Sequence, residues 1–121
     1  MTKPWFLFFT AALTMGAQTP VSRQQVEGNA DDGKRAFQTY GCFECHGYAA
    51  QGSRDGPRLA AITVPAPVLL GYIRRPSGAM PAYTEKVLSG QAFADIYAYL
   101  KSLPAARPAK EIPVLDRIRD K

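Results

Sequence analysis

The clearest pattern of apolar positions lies between Ser89 and Pro104. At about 100° per residue, the apolar side chains of this stretch fill one arc of about 160°, and polar side chains, Asp95 among them, occupy the remainder. Ser89 suits a helix N-cap, and Pro104 cannot continue a helix. The apolar arc consists of Ala92, Phe93, Ile96, Tyr97, Tyr99, Leu100 and Leu103. The pattern predicts an amphipathic helix whose apolar face is wider than one packing partner requires.

A first helix is predicted earlier in the chain. After Asp31 and Asp32, which suit a helix N-terminus, apolar or small residues recur at i, i+3, i+4 and i+7 over a helix of about ten residues. These residues are Gly33, Ala36, Phe37 and Tyr40. Glycine lowers the stability of a helix, so Gly33 indicates close approach by another helix.

A second helix is predicted from the prolines at 65 and 67, which suit a first helical turn, to Arg75, where Pro76 disfavours helical conformation. Its apolar face consists of Leu69, Tyr72 and Ile73. A short helical turn is also predicted over residues 84–88. No stretch alternates as β-strands do, so the predicted fold class is all-α, with about four short helices.

The N-terminal residues have the order of a secretory signal peptide. Lys3 precedes an apolar run over residues 5–15, and small residues follow at 16 and 17. This run is too short to span a membrane, which takes about 20 residues, so residues 1–17 are predicted to be a signal peptide. Met15 stands where a small residue is preferred before the cleavage site. An uncleaved N-terminal anchor is therefore the alternative.

The rest of the 121-residue chain is long enough for one small domain. Residues 18–30 are polar without an apolar period and are predicted to be a flexible linker. The domain is predicted over residues 31–104. Residues 105–121 combine prolines and charges with one small apolar cluster, Ile112, Val114 and Leu115. They are predicted to be an extended C-terminal tail.

Both cysteines and the only histidine of the chain lie together in Cys42-Phe43-Glu44-Cys45-His46. Thiols three positions apart can add to the two vinyl groups of a porphyrin, and the adjacent imidazole can bind the iron, so the motif predicts attachment of a c-type haem. A structural zinc site takes four ligands, and this stretch supplies three. A thioredoxin-type motif belongs beside a β-α-β pattern, which is missing here. A plain disulfide would leave His46 without a role.

Met80 is the candidate for the second axial ligand of the iron. It is the only methionine after the predicted signal peptide, and it lies in a Gly/Pro-rich loop 34 residues after His46. This separation lets the chain pass around the edge of a haem and reach its other face. The alternative is that Met80 fills a gap in the core, as methionines often do.

The net charge after removal of residues 1–17 is +4, from 14 basic and 10 acidic residues. A mild positive charge is consistent with ordinary solubility or with steering toward an acidic redox partner. The basic residues are scattered and no nucleic-acid-binding motif occurs, so no nucleic-acid partner is expected.

The chain resembles a class I cytochrome c of the small bacterial type over about residues 31–104. The resemblance rests on Gly33, Phe37, the motif from Cys42 to His46, Gly56-Pro57-Arg58-Leu59, Tyr72-Ile73-Arg74-Arg75-Pro76, Met80-Pro81-Ala82-Tyr83 and the stretch from Ala94 to Leu100. It implies a cytochrome c-like fold around one covalently bound haem c. It also implies that the first and last helices cross closely, which would account for Gly33.

The resemblance implies further contacts. The carbonyl of Pro57 is expected to accept a hydrogen bond from the second ring nitrogen of His46 and so to orient the imidazole. Arg74 or Arg75 is expected to contact a haem propionate, the alternative being that both are solvated at a helix C-terminus. The chain departs from well-known members in two respects. Its short span from His46 to Met80 indicates a trimmed loop on the propionate edge, and its long tail weighs against a freely diffusing carrier.

The predicted function is that of a periplasmic bacterial mono-haem cytochrome c, free or as the cytochrome subunit of a dehydrogenase complex. Cys42, Cys45, His46 and Met80 are the predicted haem-binding residues, His46 and Met80 the iron ligands, and no residue is predicted to be catalytic. The expected partners are a dehydrogenase, an oxidase or another cytochrome, and a membrane tether only if the signal segment is retained. The alternative is a haem peroxidase or gas-binding sensor with an open sixth iron position.

Overall fold

The computed structural model describes residues 27–119, so the predicted signal peptide and residues 18–26 of the predicted linker lie outside the described residues. The described part is helical and contains no strand, which confirms the all-α class. Its helices are α1 (Ala30–Thr39), α2 (Cys42–His46), α3 (Ala66–Arg74), α4 (Gly90–Ser102) and α5 (Pro113–Arg119), with a short 3₁₀ helix (Ala109–Glu111) before α5. Within residues 27–119, no helix has the length and apolar character needed to cross a membrane.

Helices α1 and α4 cross at Gly33, as the sequence predicts. A Cβ atom at position 33 would lie 1.9 Å from the backbone oxygen of Asp95, so only glycine permits this approach. One turn further along, the rings of Phe37 and Tyr99 pack with their centroids 5.6 Å apart. Both rings are buried, and Leu100 of α4 lies in the same core. At this crossing α1 covers one part of the wide apolar face of α4. The rest of that face is available to pack against other groups.

The N-terminus of α1 differs in detail from the prediction. The N-cap is Asn29, whose side-chain oxygen accepts hydrogen bonds from the backbone N–H groups of Asp31 and Asp32. The two aspartates therefore lie in the first turn, where negative charge is favourable.

Asp95 is buried, although the sequence pattern places it on the polar face of α4. Its carboxylate accepts a hydrogen bond from the backbone N–H of Asn29 at 2.8 Å and another from Gln91 at 3.0 Å. Gln91 also donates to the backbone oxygen of Glu27. The polar side of α4 at Asp95 is thus covered by the chain, because Glu27, Gly28 and Asn29 pack on this helix.

Helix α3 begins after Pro65 and ends at Arg74, one residue before the C-cap Arg75, which confirms the effect predicted for Pro76. Ile73 is its buried residue. The chain then forms a loop and a single helical turn, in which the N–H of Leu88 donates to the oxygen of Thr84 at 2.9 Å. Ser89 caps α4 through a hydrogen bond from the N–H of Ala92, as predicted.

The predicted extended conformation of the tail is wrong for residues 109–119, which form the 3₁₀ helix and α5. Pro113 opens α5 instead of breaking a helix, because the missing N–H of proline is not needed at a first helical position. Apolar residues at 114, 115 and 118 then have helical spacing. Among the described helices, α5 packs only against the 3₁₀ helix.

Candidate haem site

All four residues that the sequence assigns to haem binding lie around one cavity of about 690 Å³. They are Cys42, Cys45, His46 and Met80. A volume of this size is typical of cofactor and ligand sites. Most of the remaining wall is apolar and includes Phe37, Leu59, Ile73, Leu88, Ile96 and Leu100. The wide apolar face of α4 therefore packs against α1 on one side and lines this cavity on the other.

The two thiols are held on the short helix α2. Gly41 adopts the left-handed conformation, with φ of +74°, and turns the chain from α1 directly into α2. Neither cysteine is in a disulfide. Cys42 is partly buried, and this burial raises the pKa of its thiol to about 11, whereas Cys45 is exposed. Both side chains reach the cavity, so they can bond the same group.

His46, at the end of α2, is buried and fixed in orientation. Its Nδ1 atom lies 2.8 Å from the carbonyl oxygen of Pro57. A carbonyl oxygen only accepts, so Nδ1 carries the proton and Nε2 keeps a free lone pair. This is the contact that the family resemblance implies, and it makes the imidazole a better donor to a metal.

Gly56 lets the loop before Pro57 approach the motif. A Cβ atom at position 56 would lie 2.8 Å from the backbone oxygen of Cys45 and 2.9 Å from Nδ1 of His46, so a larger residue would displace the histidine. The N–H of Gly52 donates to the oxygen of His46 at 2.8 Å. The sequence singled out Gly56 and Pro57 by family resemblance alone. The structure shows why these residues are needed, because the loop that contains them lies directly against His46.

The loop that carries Met80 follows α3. Met80 is half-buried and lines the cavity. Tyr83, three residues further on, also lines it, and its hydroxyl donates to the backbone oxygen of Tyr40 at 2.8 Å. Burial raises the pKa of the Tyr83 phenol above its ordinary value. Tyr83 has no role in the sequence-based prediction, although its place in the motif after Met80 was a signal.

One interpretation of the sequence was that Arg74 is solvated at the C-terminus of its helix. The structure contradicts this interpretation. Its side chain is only 19% exposed. It donates to the backbone oxygens of Tyr83 and Leu88, both at 2.7 Å, and forms an ion pair with Glu85. Arg75, the neighbouring candidate, is exposed. Of these two arginines, the structure therefore ties Arg74 to the loop after Met80.

The donor set fits a covalently held haem. Two thiols, an imidazole with one free nitrogen and a thioether surround a single cavity with largely apolar walls. Thioether bonds need both thiols, and an axial pair needs the imidazole and the thioether sulfur. The apolar wall suits the faces of a macrocycle, because burial of apolar surface stabilises the folded state.

Comparison with known families agrees with this geometry. Residues 28–100 match the family model described as cytochrome C oxidase, cbb3-type, subunit III. The matched range begins at Gly28, which packs against Ala94, and ends at Leu100 in α4. It thus includes the motif, the loop of Met80 and the crossing of α1 with α4. No curated protein and no solved structure matches the chain.

Proposed function

The chain belongs to this cytochrome C oxidase, cbb3-type, subunit III family of c-type cytochromes, and on that premise we propose that it is a periplasmic mono-haem cytochrome c with His46 and Met80 as axial iron ligands. Covalent attachment of haem c, electron transfer and redox partner proteins are common to such domains. The single haem, the ligand pair and the compartment are the parts that we propose. The observation that carries the proposal is the meeting of His46, Met80 and both thiols at one cavity.

Each residue has a defined role in this proposal. Cys42 and Cys45 hold the haem by thioether bonds, and His46 binds the iron through Nε2 while Pro57 accepts the hydrogen bond from Nδ1. Met80 supplies a soft thioether sulfur, which favours the ferrous state and raises the reduction potential relative to a bis-histidine haem. The bound haem supplies one-electron chemistry.

The wall of the cavity supports electron transfer without a substrate site. Apolar side chains from α1, α3 and α4 exclude water from the faces of the macrocycle and limit the rearrangement that accompanies a change of iron charge. With two protein ligands on the iron, no position remains for a substrate. Met80 at the cavity therefore favours an electron carrier over the alternative of a peroxidase or gas sensor.

Features of the sequence support the proposed compartment and partners. Lys3 and the apolar run over 5–15 support export, and covalent haem attachment in bacteria takes place outside the inner membrane. The partner is a dehydrogenase, an oxidase or another cytochrome, and the chain acts either free or as the cytochrome subunit of a dehydrogenase complex. The family description, which names an oxidase subunit, supports membership of a larger assembly.

The test of the ligand pair is Met80→Ala in the haem-loaded protein. We expect the sulfur-to-iron charge-transfer band of the ferric spectrum to disappear, the iron to become high-spin, and the reduction potential to fall. Leu59→Ala is the matched control, because Leu59 lines the same cavity but cannot bind iron. It should lower stability and leave the band in place. A wild-type spectrum and potential in Met80→Ala would reject Met80 as a ligand.

A further inference from the structure

The loop that carries Met80 is tied to α3 by a partly buried arginine. Arg74 is the last residue of α3, and its Nη1 atom donates to two carbonyl oxygens, those of Tyr83 and Leu88, each at 2.7 Å. Its Nη2 atom binds the carboxylate of Glu85, which lies between them. One guanidinium group therefore fixes both ends of the segment 83–88.

Tyr83 is the point at which the Met80 loop is anchored. Its N–H donates to the oxygen of Ile73 at 3.1 Å, its oxygen accepts from Arg74, and its hydroxyl donates to Tyr40. Charge-assisted hydrogen bonds such as that from Arg74 are stronger than neutral ones. The C-terminal side of the loop, three residues from Met80, is therefore fixed by three separate contacts.

The N-terminal side of the loop is held less firmly. The hydroxyl of Tyr72 donates to the backbone oxygen of Ser77 at 3.2 Å, and this contact is exposed. Gly78 adopts a left-handed conformation, with φ of +80°, and a Cβ atom there would have open space around it. The position of Met80 consequently depends mainly on the anchor at Tyr83.

A thioether is a neutral and weak ligand. The strength of its bond to iron therefore depends on how much conformational freedom the loop gives up when the sulfur binds. A loop that is already fixed beside the cavity loses little further freedom when the bond forms, and this preorganisation strengthens the bond. Removal of the anchor should let an external ligand displace the sulfur more readily.

We propose that Arg74 is a positioning residue that strengthens binding of Met80 to the haem iron by fixing Tyr83 and Leu88. The proposal rests on the proposed ligation by His46 and Met80. It assigns to Arg74 a contact with the chain itself, whereas the family resemblance implies that Arg74 or Arg75 contacts a haem propionate. Arg75, exposed and adjacent, has no part in it.

The test is a titration of the ferric haem-loaded protein with imidazole, which competes with Met80 for the iron. We expect Arg74→Gln to bind imidazole about tenfold more tightly than the wild type, because two charge-assisted hydrogen bonds to the loop are lost. Arg74→Lys should give an intermediate affinity, since an ammonium group can reach a carbonyl but cannot reproduce the fork of contacts. Arg35→Gln is the matched control and should retain the wild-type affinity, because Arg35 is exposed on α1 and does not line the cavity.

Two results would overturn the proposal. A lower melting temperature in Arg74→Gln with wild-type imidazole affinity would show that the contacts serve stability alone. A changed reduction potential with wild-type imidazole affinity would show that Arg74 acts through its charge near the haem. If Arg74→Gln does not fold, Arg74→Lys takes its place and must bind imidazole more tightly than the wild type, and wild-type affinity there would also reject the role.

Met80→Ala separates a failure of this inference from a failure of the proposed ligation. If Met80 binds the iron, this variant binds imidazole much more tightly than the wild type and loses the charge-transfer band. If Met80→Ala keeps the wild-type behaviour, the ligation itself is rejected, whatever the Arg74 variants do.

Discussion

The α-carbon of Gly33 lies so close to the backbone of Asp95 that a Cβ atom at position 33 would be 1.9 Å from the Asp95 oxygen and 2.8 Å from Cβ of Tyr99. Both neighbours belong to the buried face of α4, and neither is the flexible end of a side chain. The crossing of α1 and α4 is thus set by backbone approach, and the helix that leads into the haem motif is fixed on the helix that lines the cavity.

Gly33→Ala should therefore destabilise the haem-loaded protein by about 3 kcal/mol, since α1 must move away from α4 to admit the methyl group. Chemical denaturation measures the effect. Gly71→Ala is the control, because Gly71 lies in α3 and a methyl group added there would meet no atom within 4 Å. Helix propensity predicts that this variant gains up to about 1 kcal/mol. Equal effects of the two changes would contradict the close crossing.

The cavity predicts the behaviour of the chain without haem. Several buried core residues line it, among them Phe37, Ile73, Leu88, Ile96 and Leu100, so an unfilled cavity leaves a large void in the centre of a small core. We expect Cys42→Ala combined with Cys45→Ala to give a haem-free protein that is largely unfolded. Circular dichroism against the haem-loaded wild type measures this. A native helical signal with a cooperative thermal transition in the haem-free variant would contradict it.

The sequence was sufficient for the helices whose apolar period is long and whose ends have distinct chemistry. Helix α4 has both, with Ser89 as its cap, and Pro76 ends α3 by a local steric effect that needs no tertiary partner. The meeting of the four haem-binding candidates at one cavity was also predictable, because the motif and the single methionine that follows the predicted signal peptide carry their own chemistry.

Buried charges were not predictable, because their partners lie elsewhere in the chain. Asp95 binds the backbone of Asn29, 66 residues away, and periodicity alone places it on the polar face. Arg74 binds carbonyls 9 and 14 residues further on, and a carbonyl group leaves no mark in a sequence. Helix α5 escapes prediction because prolines and charges in the tail favour an extended chain, although Pro113 is compatible with a first helical position.

Ionisation of Tyr83 is expected to lower the stability of the folded protein at high pH. Burial is the main cause that raises the pKa of its phenol, so the folded protein holds this proton more tightly than the unfolded chain does. The resulting stabilisation is fully present below the unfolded pKa of about 10 and is lost as the pH rises through the higher folded value. Ionisation also removes the hydrogen bond that Tyr83 donates to Tyr40.

The variant Tyr83→Phe isolates this contribution. It should be less stable than the wild type by about 1 kcal/mol at neutral pH, because one partly buried hydrogen bond is lost. The difference should shrink as the pH rises above the ordinary tyrosine pKa of about 10, which denaturant unfolding at a series of pH values measures. A constant difference across that range would show that Tyr83 does not titrate differently in the folded protein.

The contacts of the C-terminal segment, residues 107–121, indicate what its removal would do. Helix α5 packs against the 3₁₀ helix and against none of the other described helices. Val114 and Ile118 are exposed by 50% and 64%, so this segment buries little apolar surface. The contact in which Arg58 donates to the oxygen of Pro104, at 2.7 Å, lies before the segment and should survive its removal.

Truncation after Ala106 should therefore leave the haem spectrum, the reduction potential and the melting temperature of the loaded protein unchanged to within about 2 °C, a shift that corresponds to less than about 1 kcal/mol for a domain of this size. A helix as short as α5 is marginal by itself, so its loss removes little free energy of unfolding. Val114→Ser combined with Ile118→Ser in the full chain is the matched control and should also be neutral. A fall of several degrees in the truncated protein but not in the serine variant would show that backbone contacts of residues 107–121 belong to the fold. A fall in both would show that the apolar face of α5 is covered in the native protein.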